Sequence, residues 1–510
     1  LRSVLLTLAI GVIAGICQAA CLSLVYVFDA HMSGMISIMP VLVFVLFVSG
    51  AVHLINYYGD AVREVGLERA PTAALAAGGC PCFLPVVTSA LGIASLSVTR
   101  IVPVNAFGRM TSLGMIVTVI ALLTLLPGVL LVMARRDARH QNQPPHMPLA
   151  SSSPTWIAVN WFVQRYRWQI QLVSLVAVLF CAMGLRHVQT SMKLSDFFPQ
   201  SSRIVRDYEW LESHIGPLFP AEVVLAFEGD SDLDMYDRYE IVSHVETELR
   251  AAEPHSVTVS AATFAERPQA PAGLRRAVRK AVMARRLESH RQRLLENKYV
   301  IELEEGEYWR ITVRYPSLDT RPFDETRDEL KRIVPAALAA SPAAGRGDSV
   351  RLIYTGLLPL VADAQSELMR GLVLSFITSV FFIGAALVIG LKSFRLGVFS
   401  TVPNFFPLVI VFGGLGWTNQ PIDVGTMMTA SIGLGIAVDD TVHFLTWFKR
   451  AVDAGLSGPA AIRTAFLRCG AAILRTTLIC SAGLVLFTAS SFAPAAQFGK
   501  TICLLLGAAL

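Results

Sequence analysis

Two aspartates stand side by side in a stretch that is otherwise almost wholly apolar: Gly433-Leu434-Gly435-Ile436-Ala437-Val438-Asp439-Asp440-Thr441-Val442-His443-Phe444. The surrounding run, 424–447, is long enough to cross a bilayer, which takes about 20 apolar residues. Each carboxylate near the centre of such a helix costs about 2.5–3.5 kcal/mol on insertion scales. Burial and a like-charged neighbour both favour the neutral form of a carboxyl group, so Asp439 and Asp440 are suited to taking up and releasing protons. His443 follows Asp439 by four residues and Asp440 by three, within reach of both on one helix flank. Gly433 and Gly435, on the preceding turns, let another helix approach closely. The bland alternative is an interhelical hydrogen-bonded pair with no transport role, and His443 reads equally well as a satisfied interfacial histidine.

The 510 residues are 54% hydrophobic and only 16% charged, against about a quarter charged in soluble proteins. Mean hydropathy is +0.54. The charges crowd into 187–366, and both flanks are nearly continuous apolar segments. Apolar spans fall at 3–25, 37–57, 83–99, 106–133, 169–186, 368–391, 395–417, 424–447, 473–491 and 497–510. The net charge of +5 belongs to loops beside these spans and argues for no nucleic-acid partner. The eight cysteines form no disulfide framework. Cys80-Pro81-Cys82 is a lone pair of thiols, expected as small residues at a kinked helix start and not as a metal site.

Orientation follows from the basic residues. Arg135, Arg136 and Arg139 follow the fourth span, Lys392 and Arg395 the sixth, and Lys449, Arg450, Arg463, Arg468 and Arg475 lie between the eighth and ninth. The opposite loops, 29–35 and 418–423, hold no Lys or Arg. The positive-inside rule puts the basic loops in the cytoplasm and 187–366 outside, in a bacterium the periplasm.

That outer region reads as an α+β domain. Strands are expected at 222–228, 299–304, 309–315 and 350–354, and helices at 232–252 and 323–340. The β-α-β-β-α-β order suggests a ferredoxin-like split unit. The basic stretch 274–297 reads as a solvated helix, with contact to anionic lipid head groups as the sharper reading.

The sequence also repeats itself at a distance of about 390 residues. Val52-His53-Leu54 matches Val442-His443-Phe444, Pro103 through Phe107-Gly108-Arg109 matches Pro494 through Phe498-Gly499-Lys500, and Gly92 falls opposite Gly483. Parallel repeats are a known transporter design. The expected organisation is a first transmembrane repeat at 1–135, a cytoplasmic linker at 136–168, a helix at 169–186, the periplasmic domain at 187–366 and a second repeat at 367–510. The start at Leu1-Arg2 and the end within an apolar run suggest a fragment.

The G-x-G-x-x-x-D-D-T-x-H-F helix resembles the resistance-nodulation-division superfamily, especially its mycobacterial-membrane-protein-large and Patched-like branches. The two-copy layout, Tyr354-Thr355-Gly356 leading into Pro359-Leu360, and Phe498-Gly499 at the last helix start are similar too. The resemblance implies a polytopic α-helical membrane protein with two parallel repeats and an inserted α+β periplasmic domain. It implies ion coupling at Asp439 and Asp440, supported by Thr476 and Thr477 at the start of the eleventh helix of the family scheme. One departure stands out. Where relatives carry acids on the fourth helix, this chain has Ser49 and Gly50, which leaves His53 as the titratable group across the pseudo-twofold.

The leading expectation is proton-driven export of lipids or other hydrophobic molecules across the bacterial inner membrane. The alternative is a non-transporting lipid- or sterol-sensing scaffold. No nucleophile elbow, zinc triad or Gly-rich phosphate loop points to an enzyme, and no cofactor or metal is called for. Membrane lipids and a hydrophobic substrate are the expected partners, with homo-oligomerisation to a dimer or trimer left open.

Overall fold

The computed structural model describes residues 4–28, 32–139, 154–188, 198, 201–228, 233–264, 276–316, 323–341 and 350–510. It divides into two compact units, residues 1–191 with 367–510, and residues 192–366.

The first unit is helical. Its early part comprises α1 (Val4–Phe28), α2 (Met39–Val65), α3 (Ala70–Ala94) and α4 (Val102–Arg139), followed by α5 (Pro154–Arg165) and α6 (Arg167–Gly184). Among the described residues, eight helical segments are long and apolar enough to cross a membrane. The segment carrying Asp439 and Asp440 is not one of them, because its carboxylates and hydroxyls lower its hydropathy. The last helix, 17 residues up to Ala509, is not among them either.

Several helices outrun their apolar spans. α3 begins at Ala70, so Cys80-Pro81-Cys82 lies well inside it and not at its start. The alanine-rich 70–79 stretch forms helix readily without being a strong hydropathy signal. The eight cysteines are all free.

The second unit holds α7 (Arg203–Ile215), β1 (Phe219–Glu228), α8 (Met235–Ala252), β2 (Val257–Ser260), α9 (Arg276–Glu296), β3 (Val300–Leu303), β4 (Gly306–Tyr315), α10 (Phe323–Ala339) and β5 (Val350–Gly356). The sheet runs β2-β4-β1-β5, all antiparallel, with β3 paired to β4. This is the split β-α-β arrangement, with one correction. Its second strand is Val257–Ser260, which the sequence reading had left out, and Val300–Leu303 is an extra hairpin strand. Four residues are too few to show a period of two, so the short strand was invisible to patterning.

One sheet face is apolar. Val223, Leu225, Ile311, Val313 and the fully buried Trp309 pack there with Val242 and Val245 of α8. Leu287 and Leu294 of the basic helix α9 belong to the same core. That helix is therefore anchored on an apolar stripe and not solvated all round. Glu246 of α8 ties back to Ser260 and Thr263 at 2.5 and 3.0 Å, joining the helix to β2. Gly356, at φ 97°, would place a Cβ 2.9 Å from Glu222 N. The turn out of β5 needs a residue that tolerates positive φ.

From Gly356 the chain enters α11 (Leu357–Leu391), then α12 (Phe394–Trp417), α13 (Val424–Asp453), α14 (Gly458–Leu484) and α15 (Ala493–Ala509). The set α1–α4 and the set α12–α15 have the same internal pattern. In each, the first helix packs on the fourth and the second on the third. In each, the third helix ends in a 3-10 turn, Ser95–Val98 or Val485–Ala489. The repeated Phe-Gly pair now has a cause. Phe107 and Phe498 are fully buried, and Cβ atoms on Gly108 and Gly499 would sit 2.8 Å from Ser97 N and Phe487 Cβ of those turns. Only glycine lets the fourth helix lie so close.

The halves meet crosswise. α3 packs on α13, and α2 packs on α14. Exchanging second and third helices between copies in this way is what a pseudo-twofold axis requires.

Candidate functional site

The two second helices, α2 and α13, line the pseudo-twofold axis with side chains at equivalent positions. Along each helix these recur every four residues, one per turn. Three cross-axis pairs result, each separated by 390 residues in sequence: Ser49 with Asp439, His53 with His443, Tyr57 with Trp447. Ser49 Oγ donates to Asp439 Oδ2 at 3.0 Å. The imidazoles of His53 and His443 stack with centroids 3.8 Å apart and planes 9° from parallel. Tyr57 stacks on Trp447 at 5.6 Å and 10°.

The pairs are also linked along the axis. His443 Nε2 comes within 3.3 Å of Asp439 Oδ1, close enough for charge attraction but not aligned as a hydrogen bond. Tyr57 Oη lies 3.4 Å from His443 Nδ1. Ser49, His53 and His443 are each at most 3% exposed, so the seam shields them from water.

Beyond the third pair the seam is closed by cations. Arg450 Cζ sits 5.6 Å from the Tyr57 ring and 5.3 Å from the Trp447 ring, with Arg468 Cζ on Trp447 at 5.3 Å. Arg468 pairs with Asp60 at 3.1 Å. Such stacked cations contribute about 0.5–2 kcal/mol each. Arg450 and Arg468, read from sequence as loop charges, are helical residues turned onto this seam.

Asp440 behaves differently. Among the described residues no hydrogen bond or ion pair reaches its carboxylate, and it is partly exposed. The next residue, Thr441, donates to Asn404 Oδ1 of α12 at 2.8 Å, and Asn404 Nδ2 donates to the Ser400 carbonyl at 2.9 Å. The adjacent aspartates thus look in different directions, as 100° of helical rotation demands.

Gly433 and Gly435 each admit a different neighbour. A Cβ at Gly435 would lie 2.9 Å from Ser89 Cα on α3, and at Gly433 2.8 Å from Leu505 Cδ1 on α15. Ser89 Oγ donates to the Gly435 carbonyl at 3.0 Å. A small void between α2, α3 and α13, about 10 Å³, is lined by Gly50, Cys82, Ser89, Asp439 and His443. It has the size of one water molecule.

Thr476 and Thr477 are buried but lie in the middle of α14, which starts at Gly458. The apolar span placed them at a helix start because the first half of α14 is basic and amphipathic. Thr476 Oγ1 donates to carbonyls of its own helix, Ala472 and Ile473. No hydrogen bond joins either threonine to Asp439 or Asp440 among the described residues. The sequence reading missed Ser49 as a donor, Tyr57, Trp447, Ser89 and Asn404. Extending the 390-residue offset from His53 to its neighbours four residues either side would have found the first three.

Two parallel helical repeats that meet at a polar seam, with an α+β domain inserted in the chain, define a polytopic RND-like membrane protein. The family profile of the MMPL family matches residues 198–509, and the chain belongs to that family. A membrane protein of Methanocaldococcus jannaschii is 30% identical over 158 residues, covering 30% of this chain and 40% of that protein. Among solved structures, the translocon-associated membrane protein SecDF of Thermus thermophilus superposes over 99% of this chain and 56% of its own length, with TM-score 0.59 and 14% identity. SecDF in its super-membrane-facing form gives 0.50 at 13% identity, over 98% of this chain and 59% of SecDF. These likenesses show the fold. The chain spans little more than half the length of the solved structures it resembles.

Proposed function

We propose that this protein exports lipids or other hydrophobic molecules, driven by protons that bind at the seam between its two repeats. The supporting observation is the Ser49–Asp439 hydrogen bond between equivalent positions of the two copies. A charged Asp439 accepts from Ser49 and attracts His443. A protonated Asp439 loses the attraction and gains a donor of its own, so the pairing across the axis must rearrange. Movement of one repeat against the other is how such folds alternate access. The protein then sits in the bacterial inner membrane, with 187–366 on the periplasmic side, where it handles the substrate.

The test is transport of a hydrophobic substrate by proteoliposomes under an imposed proton gradient. Asp439→Asn with Asp440→Asn should abolish gradient-driven export while the protein still folds. Full export by that double variant would refute the reading. The scaffold alternative draws on one observation, the lack of an acid on α2 at Ser49 and Gly50, the positions equivalent to Asp439 and Asp440. It predicts lipid binding that is indifferent both to the gradient and to the double substitution.

A further inference from the structure

The groups around Asp439 have the composition and placement of a metal site, which the sequence reading did not anticipate. Ligand atoms of His53, Asp439 and His443 all lie within 4.8 Å of one another. His53 Nε2 and His443 Nε2 are both buried, and neither makes a hydrogen bond. Each imidazole is about 98% buried, so water does not satisfy them either.

In one of the two tautomers open to His443, the cage is short of a positive charge. Where Tyr57 Oη accepts from His443 Nδ1–H, the other ring nitrogen carries a lone pair, and that lone pair faces Asp439 Oδ1 at 3.3 Å. Two electron-rich atoms in an apolar seam repel unless a positive charge stands between them. A proton is one solution. An ion held by both imidazoles and the carboxylate is another, and it uses His53 Nε2 as well, which a single proton on His443 does not.

We infer that His53, His443 and Asp439 form a buried site on the pseudo-twofold axis for a borderline divalent transition ion of the Zn²⁺ or Co²⁺ kind. Imidazole nitrogen favours such ions over Mg²⁺ and Ca²⁺, which take oxygen ligands. Tetrahedral Zn²⁺ holds its ligands about 2.0–2.2 Å away, hence about 3.4 Å from each other. Imidazole lone pairs lie in the ring plane, so the stacked rings must tilt toward a common point as the ligand atoms close from within 4.8 Å of one another to that spacing. Ser49 holds Asp439 Oδ2 at 3.0 Å and leaves Oδ1 for the ion. Tyr57 orients His443 as outer partners of metal-bound histidines do. The void beside Asp439 and His443 takes a water as fourth ligand. An ion here ties the two repeats together at the atoms the proposed coupling proton needs, so it arrests the transport cycle. Binding itself does not depend on the export reading; only the inhibition does.

The experiment uses the full chain in detergent or nanodiscs, without a polyhistidine tag, stripped with chelator and titrated with Co²⁺ and then Zn²⁺. The expected result is one equivalent per chain, a visible Co²⁺ ligand-field band that Zn²⁺ displaces, and X-ray absorption showing nitrogen and oxygen ligands without sulfur. His53→Gln should abolish the band, Tyr57→Phe should weaken binding about tenfold, and Cys82→Ser should leave it unchanged. Zn²⁺ should raise the thermal midpoint of the parent protein and not that of His53→Gln, a readout that also shows the variant is folded. No uptake by the folded parent, uptake that survives His53→Gln with His443→Gln, or sulfur in the coordination shell would overturn the inference. Metal binding by a protein whose Asp439→Asn, Asp440→Asn variant still exports would instead sink the coupling role and leave the site standing.

Discussion

Ser49 and Asp439 occupy the same position in the two repeats, and Ser49 donates a hydrogen bond to Asp439 at 3.0 Å. Two carboxylates at that point would face each other across the axis at bonding distance, and both could not be charged. A hydroxyl opposite a carboxylate removes the conflict. The asymmetry of the sequence is thus what allows the symmetric positions to touch.

Replacing Ser49 with alanine leaves Asp439 one donor short. Loss of a hydrogen bond to a charged group costs about 1.5–3 kcal/mol. Thermal unfolding in detergent should show a drop of that order, and gradient-driven export should slow severalfold. Ser49→Asp should be worse than Ser49→Ala on both measures, because it places like charges in contact in an apolar seam. An unchanged Ser49→Asp protein would show that the two positions do not meet.

Gly435 sets the distance between α13 and α3. A methyl group there would stand 2.9 Å from Ser89 Cα, and a backbone atom cannot swing aside as a side-chain tip can. Gly435→Ala should destabilise by about 1–3 kcal/mol, the usual range for overpacking, and Gly435→Leu should abolish folding. Gly414, whose Cβ would meet nothing within 4 Å, is the control: Gly414→Ala should unfold within a degree or two of the parent.

In the α+β domain, Glu307 receives Arg238 at 2.8 Å, Arg291 at 2.7 Å and the Trp309 indole at 3.1 Å. Burial alone would push its carboxyl up. The bonds from Arg238, Trp309 and Arg291 outweigh burial and hold it below the ordinary value of 4.5. A carboxyl lowered on folding stabilises the native state fully above its unfolded value. That contribution fades as pH falls from about 4.5 through the lower folded value. Hydrogen exchange of the β3–β4 hairpin in the full chain should therefore accelerate over that acid window. Glu307→Gln should be less protected at neutral pH and show no such pH step. A parallel acid response in parent and variant would assign the effect elsewhere.

Trp447 carries Tyr57 on one side and the guanidinium groups of Arg450 and Arg468 within 5.3 Å. Trp447→Ala removes the stack and both cation contacts together. A loss of about 3–5 kcal/mol is expected, the range for deleting a large aromatic from a packed site. Trp447→Phe, which keeps a ring for both, should recover most of the thermal midpoint.

Much of this protein was legible in its sequence. The distribution of apolar runs declared the membrane segments, because hydrocarbon admits only long stretches with few charges. The cost of burying carboxylates made Asp439 and Asp440 conspicuous, and the spacing of His53 and His443 announced a repeat. These signals are local or periodic, and composition carries them. What the sequence left unsettled is non-local. Nothing in a serine or a tyrosine says that its partner lies 390 residues away. The joining of Ser49 to Asp439 and the stacking of His53 on His443 come from the crosswise packing of α2 on α14 and α3 on α13. The second strand of the sheet, Val257–Ser260, exists only because β4 offers it a paired edge. Asp439 and Asp440, adjacent in the chain, are set apart by the same cause: helical rotation aims one at the axis and the other away, and only the packed bundle supplies what each one meets.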